Sequence, residues 1–192
     1  HLAGAPLSLL LPRRETRATC AAALASPVRV AAALLAATPT LLGGDIITFI
    51  TAGPFPFAAF SLRLDPLAAF MLMVISLLVV VTSLYSLAYV QEYKGRGAWG
   101  MGVFMNLFIA SMVALVVVDN AFYFIIFFEM MSLASYFLVI SDQDDDAISA
   151  GLLYFLIAHA GSVLIMIAFF LLYRQSGSLE FAAFRQVHPE PV

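Results

Sequence analysis

Asn120 to Ser141 reads NAFYFIIFFEMMSLASYFLVIS, an apolar stretch of 22 residues whose only charge is Glu129. About 20 apolar residues are needed to cross a 30 Å hydrocarbon core, so this stretch predicts a transmembrane helix. A carboxylate near the bilayer centre costs about 2.5–3.5 kcal/mol on insertion scales. Such residues face a protein interior or a wet cavity, where they carry protons or ions. Glu129 is therefore the first candidate for function.

Working outward, the neighbouring intervals read the same way. Pro66 to Gln91 runs 26 residues without a charge and Gly97 to Val118 runs 22, while Ala147 to Tyr173 is interrupted only by His159. Val28 to Ala52 is expected to be a fifth span, although Pro39, Gly43-Gly44 and Asp45 favour a kink or re-entrant turn within it. Leu2 to Leu11 is too short to span and is cut off by Pro12-Arg13-Arg14, the reverse of secretory order, so residues 1–27 read as a truncated first helix. The expected fold is an all-α integral membrane protein, a bundle of about five transmembrane helices over residues 28–187, with 188–192 as a tail.

Composition agrees with this reading. Hydrophobic residues make up 63% of the 192 and charged residues 11%, against about 25% charged in soluble domains. The lone Cys20 has no internal disulfide partner, and neither a Cys/His metal spacing nor a nucleotide or nucleic-acid motif is present. No cofactor, metal or nucleic acid is expected on this chain. Lys and Arg give its orientation. Arg13, Arg14, Arg17, Arg29, Lys94 and Arg96 fall on one side and Arg63, Arg174 and Arg185 on the other, which places the first side in the cytoplasm. Tyr89, Tyr93 and Trp99 flank the basic loop as interface anchors.

Between the last two spans, SDQDDDAIS holds Asp142, Asp144, Asp145 and Asp146. Hard-cation binding is one reading, but acids at a helix start are already explained by capping and by the helix dipole. Asp119-Asn120 reads likewise as a turn and N-cap that can secondarily guide ions.

Depth counting links Glu129 to a second residue. Glu129 lies ten residues from Asp119, about 15 Å along a helix, and His159 lies twelve residues from Ala147, about 18 Å from the opposite face. Both fall near the midplane of consecutive helices, so direct contact or a one-water bridge between them is expected. Ser132 and Tyr136 share the Glu129 face at i+3 and i+7, and Ser162 shares the His159 face with Phe155. These five residues form the candidate proton path. Ser76, Ser83, Asn106 and Ser111 read as helix-packing polars, and Ala158, Ala160 and Gly161 as small residues that let helices approach.

The runs NLFIASMVALVVVDNAFYFIIFFEMMSLASYFLVI (Asn106 to Ile140), LLYFLIAHAGSVLIMIAFFLL (Leu152 to Leu172) and LRLDPLAAFMLMVISLLVVVTSLYSL (Leu62 to Leu87) resemble the family of the large antiporter-like membrane subunit of hydrogenase-4. That family is related to subunits of formate hydrogenlyase, of respiratory complex I and of multisubunit cation/proton antiporters. FFEMMSLASYFLV and AHAGSVLIMIAFFLL make the resemblance specific to the hydrogenase branch. It implies a proton- or cation-translocating subunit, multi-pass in the bacterial inner membrane. A [NiFe]-hydrogenase module and other membrane subunits of a complex I-like assembly are the implied partners. The same resemblance makes Glu129 the acid of a Glu/Lys pair whose Lys tunes its proton affinity. That Lys lies on a broken helix following the equivalent of Phe184-Arg185, whereas this sequence ends at Val192, so the expectation is the N-terminal part of a 14-helix subunit. Alternatives are a membrane anchor or assembly subunit without pumping, a free antiporter, and a truncated nonfunctional remnant.

Overall fold

A computed structural model of the chain describes residues 38–55, 57–92, 98–142 and 144–187. Four helices among them are long and apolar enough to cross a membrane. These are α1 (Pro66–Glu92), α2 (Ala98–Val117), α3 (Ala121–Val139) and α4 (Asp145–Ser176). They follow the charge-free intervals to within about three residues, as expected when helix ends are set by caps rather than by hydropathy. Asn120 caps α3, its side chain accepting from Phe122 N at 2.9 Å, and Asp144 caps α4, accepting from Ala147 N at 2.6 Å. Asp145 and Asp146 occupy the first turn of α4, where the dipole favours them. Three of the four loop acids thus serve the start of α4, while Asp142 lies in the preceding 3-10 turn. Gly177 closes α4 in the left-handed conformation at φ +69°, with its N–H bonded to Tyr173 O, a conformation that costs a side-chain-bearing residue strain.

The fifth span is where the structure departs from expectation. Residues 28–37 lie outside the described residues, but Ile47–Phe55 and Ala58–Leu64 form antiparallel strands β1 and β2, which pair Ile47 with Leu64 and Ile50 with Ser61. A helix cannot run through to Ala52. The reason is local: ITFIT is β-branched and aromatic, and Pro54 and Pro56 follow within one helical turn. The described residues are accordingly mostly helical, with one hairpin. The expected segments 1–27 and 188–192 lie outside the described residues.

Consecutive helices pack side by side, α1 on α2, α2 on α3 and α3 on α4, and β2 rests on α1 and α2. Val79 and Ile109 centre the α1/α2 seam, and Phe104 stacks on Phe137 across α2/α3 at 4.4 Å. Ala58, Val118 and buried Tyr123 seat the hairpin, with Tyr123 Oη donating to Ala58 O at 3.1 Å. A side chain at Gly53 would collide with that hydroxyl and stand 2.7 Å from Ala58 O. Asn106 and Ser111 turn their side chains to carbonyls of their own helix, Gly102 and Leu107. The expected close approach at Gly161 is absent among the described residues, since that position opens onto free space. Gly151 serves instead, where a Cβ would stand 2.6 Å from Ile140 Cγ2.

Candidate functional site

The short 3-10 turn Ile140–Asp142 sends α4 back antiparallel along α3, so equal distances from the turn bring residues level. Glu129 and His159 meet in this way. His159 Nε2 lies 2.9 Å from Glu129 Oε2, a distance that fits a hydrogen bond with the proton on either atom. The two side chains stay 41% and 33% exposed, respectively, against the described residues alone. At mid-membrane that exposure demands protein or water around the pair, because lipid solvates neither group.

The remaining candidates divide. Tyr136 packs on Phe155 at 5.2 Å, and Phe155 lies 4.0 Å from the His159 ring, so Tyr136 reaches the pair through an aromatic contact. Ser132 is 2% exposed, and its Oγ finds no hydrogen-bond partner among the described residues. His159 Nδ1 is buried and likewise unpartnered there. Ser162, also buried, donates to the His159 carbonyl at 3.0 Å, so its proton is directed to its own helix rather than toward Glu129. Among the described residues no group of three or more His, Cys, Asp or Glu is arranged to hold a metal ion.

A second polar cluster lies at the hairpin end, and only part of it was legible in sequence. Glu180 Oε2 accepts from Ser61 Oγ at 2.7 Å and Glu180 Oε1 from Asn120 Nδ2 at 2.9 Å. Backbone bonds run beside these contacts: Asp119 N to Ser61 O, Ala121 N to Leu179 O and Phe181 N to Asp119 O. One carboxylate thus ties the hairpin, the α2–α3 turn and the segment entering the short helix α5 (Phe181–Phe184). Its signal was weak, a lone acid after a Gly-Ser turn. Arg63 and Arg185 act on Asp119 from this same end, in keeping with their assignment to one side of the membrane.

Burial pushes the Asp119 carboxyl above the usual carboxylate range and outweighs those two arginines. The charged form is therefore disfavoured on folding, so Asp119 subtracts stability above its folded pKa and ceases to do so as pH falls below the ordinary range. Asp119→Asn is expected to raise the thermal midpoint slightly at neutral pH, with variant and parent converging on acidification. A lower midpoint at neutral pH would count against this assignment.

Comparison with known proteins places these features in context. Residues 118–190 match the membrane family described as NADH:quinone oxidoreductase/Mrp antiporter, TM. The chain is 64% identical over 140 residues to hydrogenase-4 component B of Escherichia coli, covering 73% of this chain and 21% of that protein. It is 31% identical over 143 residues to NADH-quinone oxidoreductase subunit L of the same organism, covering 74% and 23%. Against NADH-quinone oxidoreductase subunit L of Mycobacterium tuberculosis the figures are 33% over 196 residues, 94% and 30%. The chain therefore spans between a fifth and a third of the length of these relatives. A subunit in the structure of the membrane-bound sulfane sulfur reductase, an archaeal respiratory membrane complex, superposes with a TM-score of 0.76 over 97% of this chain and 37% of its own. At 16% identity that likeness concerns the fold.

Proposed function

Over the part it covers, this chain belongs to the antiporter-like membrane subunits that include hydrogenase-4 component B, and from that premise we propose that it translocates protons through a Glu129–His159 pair. The observation that carries the proposal is the 2.9 Å contact between an intramembrane carboxylate and an imidazole on adjacent transmembrane helices. Each group can hold the proton that the other releases. With Glu129 protonated, its O–H donates to the neutral Nε2. When the proton crosses, the imidazolium N–H donates to the carboxylate, and the pair remains neutral overall until a second proton enters or one leaves. While the proton is shared the pair carries no net charge; gaining or losing a proton gives it one, which the protein and water around the pair must then solvate.

The wider reading is a subunit of a hydrogenase-4 or formate hydrogenlyase type of assembly in a bacterial inner membrane. Partner subunits would hold the redox chemistry and drive the pair electrostatically. A cation other than the proton would need a cage of oxygens, whereas a carboxylate bonded to an imidazole suits a proton. His159→Phe tests the role of the imidazole, since Phe keeps the ring and its packing on Phe155 but removes both nitrogens. We expect redox-driven proton uptake by membrane vesicles to fall by about tenfold or more with the assembly intact. Unchanged uptake would contradict the proposal.

A further inference from the structure

The His159 imidazole meets Glu129 from a side chain able to rotate about Cα–Cβ and Cβ–Cγ, and 41% of that side chain stays open against the described residues. A ring so lightly enclosed can swing away from its carboxylate unless something fixes its plane. What fixes it runs along the inward stripe of α4. Gly151, Phe155 and His159 follow one another at steps of four residues and so stand one above another on a single face.

Phe155 lies against the imidazole with ring centroids 4.0 Å apart and planes at 42°, closer than the about 4.5–7 Å usual for aromatic pairs. Behind Phe155 stands Tyr136 of α3, at 5.2 Å. The Tyr136 ring rests on the α4 backbone at Gly151, where even a Cβ would come within 3.5 Å of its Cδ2 and Cε2. Tyr136 meets Phe137 edge-on at 5.3 Å, and Phe137 stacks on Phe104 of α2 at 4.4 Å. The row of rings is thus anchored on α2, α3 and α4. Phe155 has neither donor nor acceptor, so it restricts the imidazole without competing for Nε2, which keeps Glu129 Oε2 as its partner at 2.9 Å.

We propose that Phe155, backed by Tyr136 and Gly151, is a positioning residue that holds the His159 imidazole in the orientation from which Nε2 meets Glu129. The inference rests on the proton-carrying reading of the pair, and it adds what aims the imidazole. Aim matters because a displacement of about 1 Å between reacting groups can slow a transfer on the order of a hundredfold.

Diethylpyrocarbonate, a small neutral reagent that acylates an unprotonated imidazole nitrogen, reads this orientation. It is applied at fixed pH to membranes holding the full assembly, and modification of the His159 peptide is quantified by mass spectrometry. In the parent, Nε2 is covered by Glu129 and Nδ1 is buried, so modification is slow. Phe155→Leu keeps apolar bulk but loses the flat face, and it is expected to speed modification on the order of tenfold or more, the factor by which a hydrogen bond to a charged partner holds its donor. Glu129→Ala is expected to speed it by a similar factor, and adding Phe155→Leu to that variant to change little further, because no contact is left to hold. Unchanged labelling in Phe155→Leu would overturn the proposal. So would a full further increase on the Glu129→Ala background, the mark of a ring that merely screens the imidazole. If Phe155→Leu does not accumulate in membranes, Tyr136→Leu removes the backing ring and is expected to move labelling the same way, and no change there overturns the proposal equally. Redox-driven proton uptake by the same Phe155→Leu membranes is expected to fall by about tenfold. Faster labelling with uptake unchanged would uphold the positioning and contradict the proton-carrying reading, so the two failures are distinguishable.

Discussion

Glu129→Gln is expected to cut proton transport by about a hundredfold or more, to a residual rate, while leaving the chain inserted and assembled. Gln matches Glu in volume, and its side-chain oxygen can still accept from His159 Nε2, so the 2.9 Å contact and the packing around it survive. Insertion becomes easier, since the midplane carboxylate is gone. What disappears is the one carboxylate on α3 within the apolar interval that can hold and release a proton. Positioned acid–base groups contribute about a hundredfold or more to proton transfer, and transport is expected to fall by at least that factor. Glu129→Asp should fall between, because a side chain one methylene shorter lengthens the contact. The check is acidification of vesicles, followed by a pH-sensitive dye while the redox partner turns over. Retained transport in the Gln variant, with assembly verified, would remove Glu129 from the path.

A second large effect is expected at the hairpin end, on stability. Glu180→Ala strips the acceptor from Ser61 and Asn120, which are 2% and 1% exposed and have no water to turn to. Hydrogen bonds to a charged acceptor contribute about 1.5–3 kcal/mol each, and Glu180 keeps some solvent contact, so a total loss of about 2–4 kcal/mol is expected. The loss should be local. Hydrogen exchange over Ile47–Leu64 should accelerate and the thermal midpoint in detergent should drop. Glu180→Gln, which retains an oxygen for Asn120, should recover part of it. An unchanged midpoint in the Ala variant would mean that the hairpin is held by the Tyr123 and Val118 packing alone.

These two sites contrast in how far the sequence announces them. Glu129 is a charge in an apolar run, and His159 could be paired with it by counting helical rise from each end of two adjoining spans. That arithmetic succeeds because an antiparallel helix pair with a short turn has one free parameter, the depth. Glu180 has no such coordinate. It lies in an irregular segment after α4, and its partners are 119 and 60 residues away, on a hairpin that hydropathy reads as the end of a helix and on the cap of α3. Long-range pairing of this kind depends on how the hairpin folds back, which single-segment patterns do not encode. The glycines teach the same lesson: AHAG points to a close approach at Gly161, whereas the tight contact falls at Gly151, decided by where the Ile140 and Tyr136 side chains land.

Ser162 marks another limit. Its spacing from His159 places it correctly on one face, but its hydroxyl bonds the carbonyl three residues back, a local alternative that helical serines commonly take. Ser132, equally buried, has no such bond among the described residues. Face membership was legible in the sequence; the direction of each hydroxyl was not.

The central claim is that Glu129 and His159 act as one proton-carrying unit, and a double-mutant cycle on transport tests it most directly. Rates are measured in vesicles for the parent, Glu129→Gln, His159→Phe and the two combined. If the pair is one unit, the combined variant is no slower than Glu129→Gln alone, since the imidazole has nothing left to exchange with. Losses that multiply, with the combined variant slower than Glu129→Gln by the full His159→Phe factor, would show that the two residues serve separate steps and would contradict the account.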